Sequence, residues 1–578
     1  MKKNLPIIIL IFISLPFFAK AQNVLDQAVN FNVESSYDLS NRTELSATLI
    51  KISLRAYWYV DSAWWEGLGK DSQETTKASL DSFIIEFEGH IYPTLTGTFG
   101  SEWNPGIDKD TRITVLIHPM KKESGGYTDS ADEYPKAQIP QSNEREMIYL
   151  NSQYINTTNA KVFLGHELVH LITINQKDKT YNVSEDVWLN EGRAEYSATL
   201  LGYDQEYEGS NLQRRVKDFL DRPSDSLTEW RETPADYGVA NLFMQYLVDH
   251  YGIGILVDSL KLKKTGIESL NTILARQGFK EDFPQVFTNW TIAILINDCQ
   301  VSEKYCYYNQ NLKNFRVTPL VNYLPLVGDS TLFVTNTTKD WAGNWHKFLG
   351  GRGTLKLEFG GSPGVYFKVP YIVEDSDGNI FVKNLALDQN QKGEVELESF
   401  GNKNLSLTII PIAENKISQF SNPEPSRTFS WLASTKAEKE AEENPITLPP
   451  LQKPISQMSR EEILARITQI QSLILQLQAQ LTNLIGSPVT CQEITQDLYF
   501  GMQNNSQVRC LQEFLASQGS EIYSEGLVTG NFYTLTEKAV IRFQEKYASE
   551  ILAPLSLSRG TGYVGSATRV KINELLTP

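Results

Sequence analysis

At 578 residues, with 41% hydrophobic residues, 36 Gly and 24 Pro, the chain has the composition of a globular protein of several domains. That excludes collagen-like and wholly disordered classes. Asp and Glu number 69 against 53 Lys and Arg, and the net charge of −16 argues against nucleic acid or an anionic membrane surface as the main partner.

Lys2 and Lys3 precede an apolar run from Leu5 to Phe18, and Ala19-Lys20-Ala21 supplies a small-x-small cleavage pattern. Residues 1–21 read as a signal peptide, because the run is too short to span a bilayer well. No later segment reads as transmembrane, so a secreted, extracellular protein is expected.

Residues 22–315 mix strands with helices. Ile113–Ile117 and Met147–Leu150 read as strands, and helical apolar periodicity runs from about Lys161 to about Asn297. Over 316–433 the pattern changes to short alternating runs between Gly and Asn/Asp turns, as in Thr354–Phe359, which predicts a β-sandwich. Residues 434–458 are charged and then Pro-rich (Pro445, Pro449, Pro450, Pro454), the composition of a linker. Ser459-Arg460-Glu461-Glu462 is a capping box opening an amphipathic helix over 459–486. Its residues Ile463, Ile467, Ile470, Ile474, Leu477, Leu481 and Leu484 form a heptad seam. Homo-oligomerisation through this coiled-coil seam and packing on a neighbouring domain are both open. A last domain occupies 487–578.

Four cysteines fall in two close pairs, Cys299 with Cys306 and Cys491 with Cys510. In an exported chain an even count favours disulfides, and neither pair has the Cys-x-x-Cys spacing of a metal site. Local pairing is expected.

The chemistry concentrates in His166-Glu167-Leu168-Val169-His170, which takes two of only six histidines in the chain. On a helix, positions i and i+4 share a face, so both imidazoles can grip one Zn²⁺ with Glu167 beside it. A third ligand that leaves one position for water is needed. Trp188-Leu189-Asn190-Glu191-Gly192-Arg193-Ala194-Glu195 supplies it as Glu191, far enough along to lie on a second helix. Glu195 shares the Glu191 face and is placed to accept the other N–H of a liganding histidine; a solvated surface charge is the alternative.

These two segments together resemble the gluzincin zinc peptidases: the thermolysin-like enzymes, the aminopeptidase and leukotriene-hydrolase group, and the hyicolysin-like secreted proteases. The resemblance implies one catalytic Zn²⁺ held by His166, His170 and Glu191, with Glu167 as the base. It also implies an oxyanion-stabilising tyrosine, matched by Tyr237 in Tyr237–Gly252; a packing tyrosine is the alternative. The aminopeptidases carry a Gly-x-Met-x-Asn strand that this chain lacks, and Glu144–Asn151 is taken as the cleft-edge strand. Internal cleavage of protein or peptide substrate is therefore expected.

In the tail, Val508–Leu515, Gly526–Phe532, Thr536–Gln544 and Gly565–Thr568 resemble, in that order, the small helical peptidoglycan-binding domains of bacterial wall hydrolases. That implies a wall-associated bacterial protein. The expected fold is multidomain: an α+β gluzincin metallopeptidase domain, a β-sandwich, a heptad helix and a small α-helical wall-binding domain. The expected function is a secreted zinc metalloendopeptidase tethered to the cell wall. A hydrolase of wall peptides and a non-enzymatic surface or adhesion protein are the competing readings.

Overall fold

The computed structural model describes residues 23–436 apart from 123 and 327, residues 493–576 apart from 503, 504, 520, 524–527 and 556, and the single residues 458 and 466. The expected signal peptide, most of the linker, all of the heptad helix but Arg466, and Cys491 lie outside the described residues. The protein is multidomain and mixes helices with large sheets; the chain divides into two compact units, Met1–Glu440 and Ala441–Pro578. Among the described residues no helix is long and apolar enough to cross a membrane.

The first unit opens with a six-stranded sheet of order β1-β2-β3-β4-β6-β5, made of β1 (Ala28–Asn32), β2 (Glu44–Ile52), β3 (Ala56–Asp61), β4 (Ile113–His118), β5 (Gly126–Tyr127) and β6 (Met147–Asn151). β3, β4 and β6 run parallel, with Trp58 level with Val115 and Val115 with Ile148. Every residue of these three strands is buried. Their apolar runs are continuous rather than alternating because both faces of the sheet are covered. Trp58, Val60, Val115, Ile117, Ile148 and Leu150 face the helices. Tyr57, Tyr59, Leu116, Met147 and Tyr149 form a second core with Phe31, Leu45 and Leu49 from β1 and β2.

The helices of this unit are α1 (Ser62–Gly67), α2 (Lys70–Glu86), α3 (Tyr92–Phe99), α4 (Asn159–Thr173), α5 (Val187–Leu200), α6 (Asn211–Asp221), α7 (Pro234–Tyr251), α8 (Gly254–Leu260), α9 (Gly266–Arg276) and α10 (Phe283–Ile296). α4 lies on β5 and β6, α5 packs on α4, and α7 packs on α5 and α6. Gly126 of β5 and the preceding Gly125 let the chain approach α4 directly: a Cβ on Gly125 would stand 2.5 Å from the Phe163 ring, and one on Gly126 3.1 Å from the Glu167 Cγ. β5 is thus the edge of the sheet beside α4. The expectation that Glu144–Asn151 forms the cleft edge is corrected, because β6 is paired on both sides, by β4 and β5.

Strands between Leu320 and Lys436 follow, and nine of them hydrogen-bond into one sheet with a two-stranded ladder beside it. The path is continuous rather than split into two separate sheets, joined where Phe400 pairs with Asn404. It curls around Leu355, Leu357, Phe359, Phe429 and Trp431. Ser434–Lys436, assigned to the linker by composition, pair with Ser330 and Thr354 as the end of the last strand. The helical core runs on into this region: Trp341 packs edge-on against Phe283 and Phe287 of α10.

The second unit has its own core of Val508, Leu511, Phe514, Phe532, Val540, Phe543 and Val564, built on α11 (Ser506–Ser517), α12 (Thr534–Lys546), α13 (Ala548–Ile551) and α14 (Ser566–Leu576). A buried glutamine organises each half. The Gln512 amide donates to Thr529, the Asn531 carbonyl and Thr536, and accepts from the Thr529 and Gly530 amides. Gln544 repeats this with Thr561, Tyr563, Thr568 and the Thr561 and Gly562 amides. The unit therefore repeats one hydrogen-bond pattern around Gln512 and Gln544, which the order of its motifs alone did not reveal.

Candidate metal centre

α4 buries Leu164, Leu168, Leu171 and Ile172 in the core, which turns His166 and His170, one helical turn apart, toward α5. Their ring centroids are 4.8 Å apart. Glu191, in the first half of α5, places Oε2 3.2 Å from His166 Nε2 and 3.6 Å from His170 Nε2. Three donor atoms on one small centre, all within 4.8 Å of one another, can hold a metal ion. Bonds of ~2.0–2.2 Å in tetrahedral geometry set ligand atoms about 3.3 Å apart, which matches both Glu191 separations. The side chains keep 14, 12 and 17% of their surface, enough for a further position to stay open to the cleft.

Without a metal, burial alone would lower the His170 pKa, but Glu191, Glu167 and Asn190 push it up to about 9. Burial alone would raise Glu191, and the two histidines instead hold its carboxyl far below the usual range. The centre is therefore a paired acid–base cluster in which a cation can take the place of the proton. Asn190, next to Glu191, has a buried Oδ1, and its side chain is one of the groups that raise the His170 pKa.

Glu167 is 5% exposed and sits between α4 and β5. Thr128 donates from Oγ1 to its Oε2 at 3.1 Å. Burial raises the Glu167 pKa, with the histidines acting against the shift and Glu191 with it. Glu195, one turn beyond Glu191, sets Oε1 3.5 Å from His166 Nδ1. It is not a solvated charge: Asn211 and Arg215 both donate to it.

Tyr237 is the fourth residue of α7, whose first turn is fixed by Asp236 Oδ2 accepting from the Thr233 amide. Its ring meets Trp230 edge-on and lies 4.5 Å under the Arg215 guanidinium. Burial, then Glu191, raises its pKa. His166, Glu167, Glu195 and Tyr237 line a cleft of about 490 Å³ together with Tyr37, Phe163, Arg214 and Arg215.

Tyr37 is a site residue that the sequence did not disclose. Burial, followed by Glu232, Glu167 and Glu191, pushes its hydroxyl up to about 12. A lone tyrosine in the loop after β1 carries no motif. Arg215 was also missed, although Asn211, Arg214, Arg215 and Asp218 recur at helical spacing and mark one face of α6. Away from the cleft, Cys299 and Cys306 are bonded as expected. Cys510 is disulfide-bonded, while its expected partner Cys491 lies outside the described residues.

No protein-family model matches the chain, and no curated protein matches it. Among solved structures, the M60 catalytic domain with the CBM51 modules of Clostridium perfringens ZmpB is similar at 8% identity and a TM-score of 0.22, over 68% of this chain and 60% of that one. The pre-peptidase C-terminal domain of a Bacillus anthracis collagenase is similar at 9% identity and 0.14, over 20% of this chain and 96% of that one. Aeromonas hydrophila PliG, a periplasmic inhibitor of g-type lysozyme, is similar at 11% identity and 0.13, over 20% and 98%. These likenesses are distant, and the site is read from its own geometry.

Proposed function

We propose that the chain is a secreted zinc metalloendopeptidase of gluzincin type, tethered to the bacterial wall by its C-terminal unit. The observation that carries the reading is the convergence of His166 Nε2, His170 Nε2 and Glu191 Oε2 beside the buried carboxylate of Glu167. Two imidazoles and one carboxylate with a position left for water are the donor set of hydrolytic zinc. A bound metal of this kind supplies Lewis acidity to the scissile carbonyl and to water.

The protein's own residues divide the remaining work. Glu167, with its pKa raised and one oxygen held by Thr128, takes the proton of the attacking water and returns it to the leaving amide nitrogen. Tyr237 donates its hydroxyl to the carbonyl oxygen as charge gathers there. Glu195, anchored by Arg215, fixes the His166 ring with Nε2 inward. The sequence pattern of residues 1–21 supports export, and the absence of a Gly-x-Met-x-Asn strand supports internal cleavage. Wall peptides are the alternative substrate.

The test compares casein and purified peptidoglycan as substrates, each with and without a zinc chelator. Cleavage that chelation stops and zinc restores is expected. Glu167→Gln should keep one zinc per chain and lose turnover, and His170→Ala should lose the zinc. Wild-type turnover in Glu167→Gln rejects the mechanism, and full zinc occupancy in His170→Ala rejects the ligand set.

A further inference from the structure

α6 carries Asn211, Arg214, Arg215 and Asp218 at the i, i+3, i+4, i+7 spacing of one helix face, and all four line the cleft. Arg215 holds both nearby carboxylates: Glu195 at 2.6 and 2.8 Å and Asp218 at 3.0 Å. Asn211 donates to the same Glu195.

Arg214 differs. Its Nη2 donates to Asn211 Oδ1 at 2.5 Å, and among the described residues it forms no ion pair. The guanidinium stands 5.7 Å from the centre of the Phe163 ring, and Tyr154 meets that ring edge-on at 5.1 Å. Phe163 lies three residues before His166 on the same side of α4, about 4.5 Å along the axis from a liganding histidine. The Arg214 side chain is exposed in the cleft lining; Arg215 disfavours its charge while Glu195 and Asp218 favour it, so the guanidinium is a standing cation that an incoming anion can reach. A planar fork with donors to spare, over an aromatic floor, suits a carboxylate on a short apolar stem.

We propose that Arg214 anchors a substrate carboxylate, so that the cleft takes peptides with an acidic side chain or a free C-terminal carboxylate within one residue of the cleaved bond. This deepens the peptidase reading and rests on it.

The test measures affinity as well as turnover. The full-length Glu167→Gln chain is titrated with labelled, C-terminally amidated peptides in which Glu, Gln or Lys is walked along a neutral backbone. A neutral peptide with a free C-terminal carboxylate completes the set. At one position Glu is expected to bind at least about tenfold tighter than Gln, the worth of a charged hydrogen-bonded pair. If the advantage instead belongs to the free-carboxylate peptide, the anchored group is the chain terminus. Arg214→Gln in the same background should abolish the advantage, and Arg214→Glu should transfer it to Lys. Equal affinity for all peptides, no binding by the acidic ones, or an advantage that survives Arg214→Gln overturns the proposal. Charge-dependent binding without turnover of any peptide by the Glu167-containing chain would sink the peptidase reading and leave the carboxylate anchor standing.

Discussion

The carboxylate of Glu195 lies 3.5 Å from His166 Nδ1, on the far side of the imidazole from Glu191. Burial alone would raise its pKa, but Arg215 holds it down to about 2, so it is an anion at every working pH. An anion at Nδ1 keeps the proton there and leaves Nε2 as a lone-pair donor. Arg215 in this way positions the His166 ring without touching it.

Glu195→Gln is therefore expected to weaken zinc binding by about 10–100-fold without removing a ligand. Competition against a chromophoric chelator measures this directly. An unchanged affinity would mean that Glu195 serves only to neutralise Arg215.

Two tyrosines compete for the role of oxyanion donor. Tyr237→Phe should lower kcat by about 10²–10³-fold while zinc content stays the same. Tyr37→Phe should cost less, because Tyr37 stacks on Tyr127 at 4.7 Å and is set at the cleft wall by that contact. A larger kcat loss in Tyr37→Phe than in Tyr237→Phe would pass the role to Tyr37.

Glu133 offers a stability test away from the chemistry. It is 1% exposed, and burial together with Glu146 pushes its pKa up to about 8. Lys179 Nζ, 3.8 Å away, offsets this only in part. With the folded pKa above the unfolded one, the folded state binds more protons between pH 4.5 and 8, so stability falls as pH rises through that window. Glu133→Gln removes the titration. Its stability relative to wild type should grow by roughly 3 kcal/mol from pH 5 to pH 8, read by urea unfolding at both. A difference that does not change with pH would show that Glu133 is ionised in the fold.

The legible parts of the site were those carried by local spacing. His166 and His170 are one helical turn apart, and Glu191 follows on a second helix, so the motif spacing was enough to anticipate that these three side chains meet. β4 and β6 were legible as apolar runs. What joins distant segments was not. Tyr37 reaches the cleft only because the loop between β1 and β2 bridges from Asp38 to Met120 beyond β4 and stacks Tyr37 on Tyr127 of β5. Gly126 and Tyr127 make an edge strand two residues long, below what any pattern resolves, so the longer run at Glu144–Asn151 took its place. In the tail the Gln512 and Gln544 motifs were visible, but their equivalence came from matching hydrogen bonds.

That tail carries the last prediction, binding to the bacterial wall. Tyr499, Phe500 and Tyr563 are 51, 44 and 45% exposed, unusual for aromatics in so small a unit. Tyr499 and Tyr563 lie nearly parallel, 16° apart with centroids at 6.3 Å. Tyr563 donates to Asp497 Oδ2 at 2.6 Å, which fixes its ring. Flat, oriented rings with a polar edge can take the apolar face of a sugar while Asp497 and its ion-pair partner Arg569 offer hydrogen bonds at the rim. Tyr499→Ala and Tyr563→Ala in the full-length chain should reduce co-sedimentation with purified peptidoglycan at least about tenfold, leaving zinc content and casein cleavage unchanged. Gln544→Leu strands the Thr561 and Gly562 amides and should loosen the whole unit by about 2–4 kcal/mol, read as faster amide hydrogen exchange across α12 and α14. If the wild-type chain stays in the supernatant at every salt concentration, the wall reading fails. The tail is then better tested as an oligomerisation or partner-binding segment by measuring the mass of the intact chain in solution.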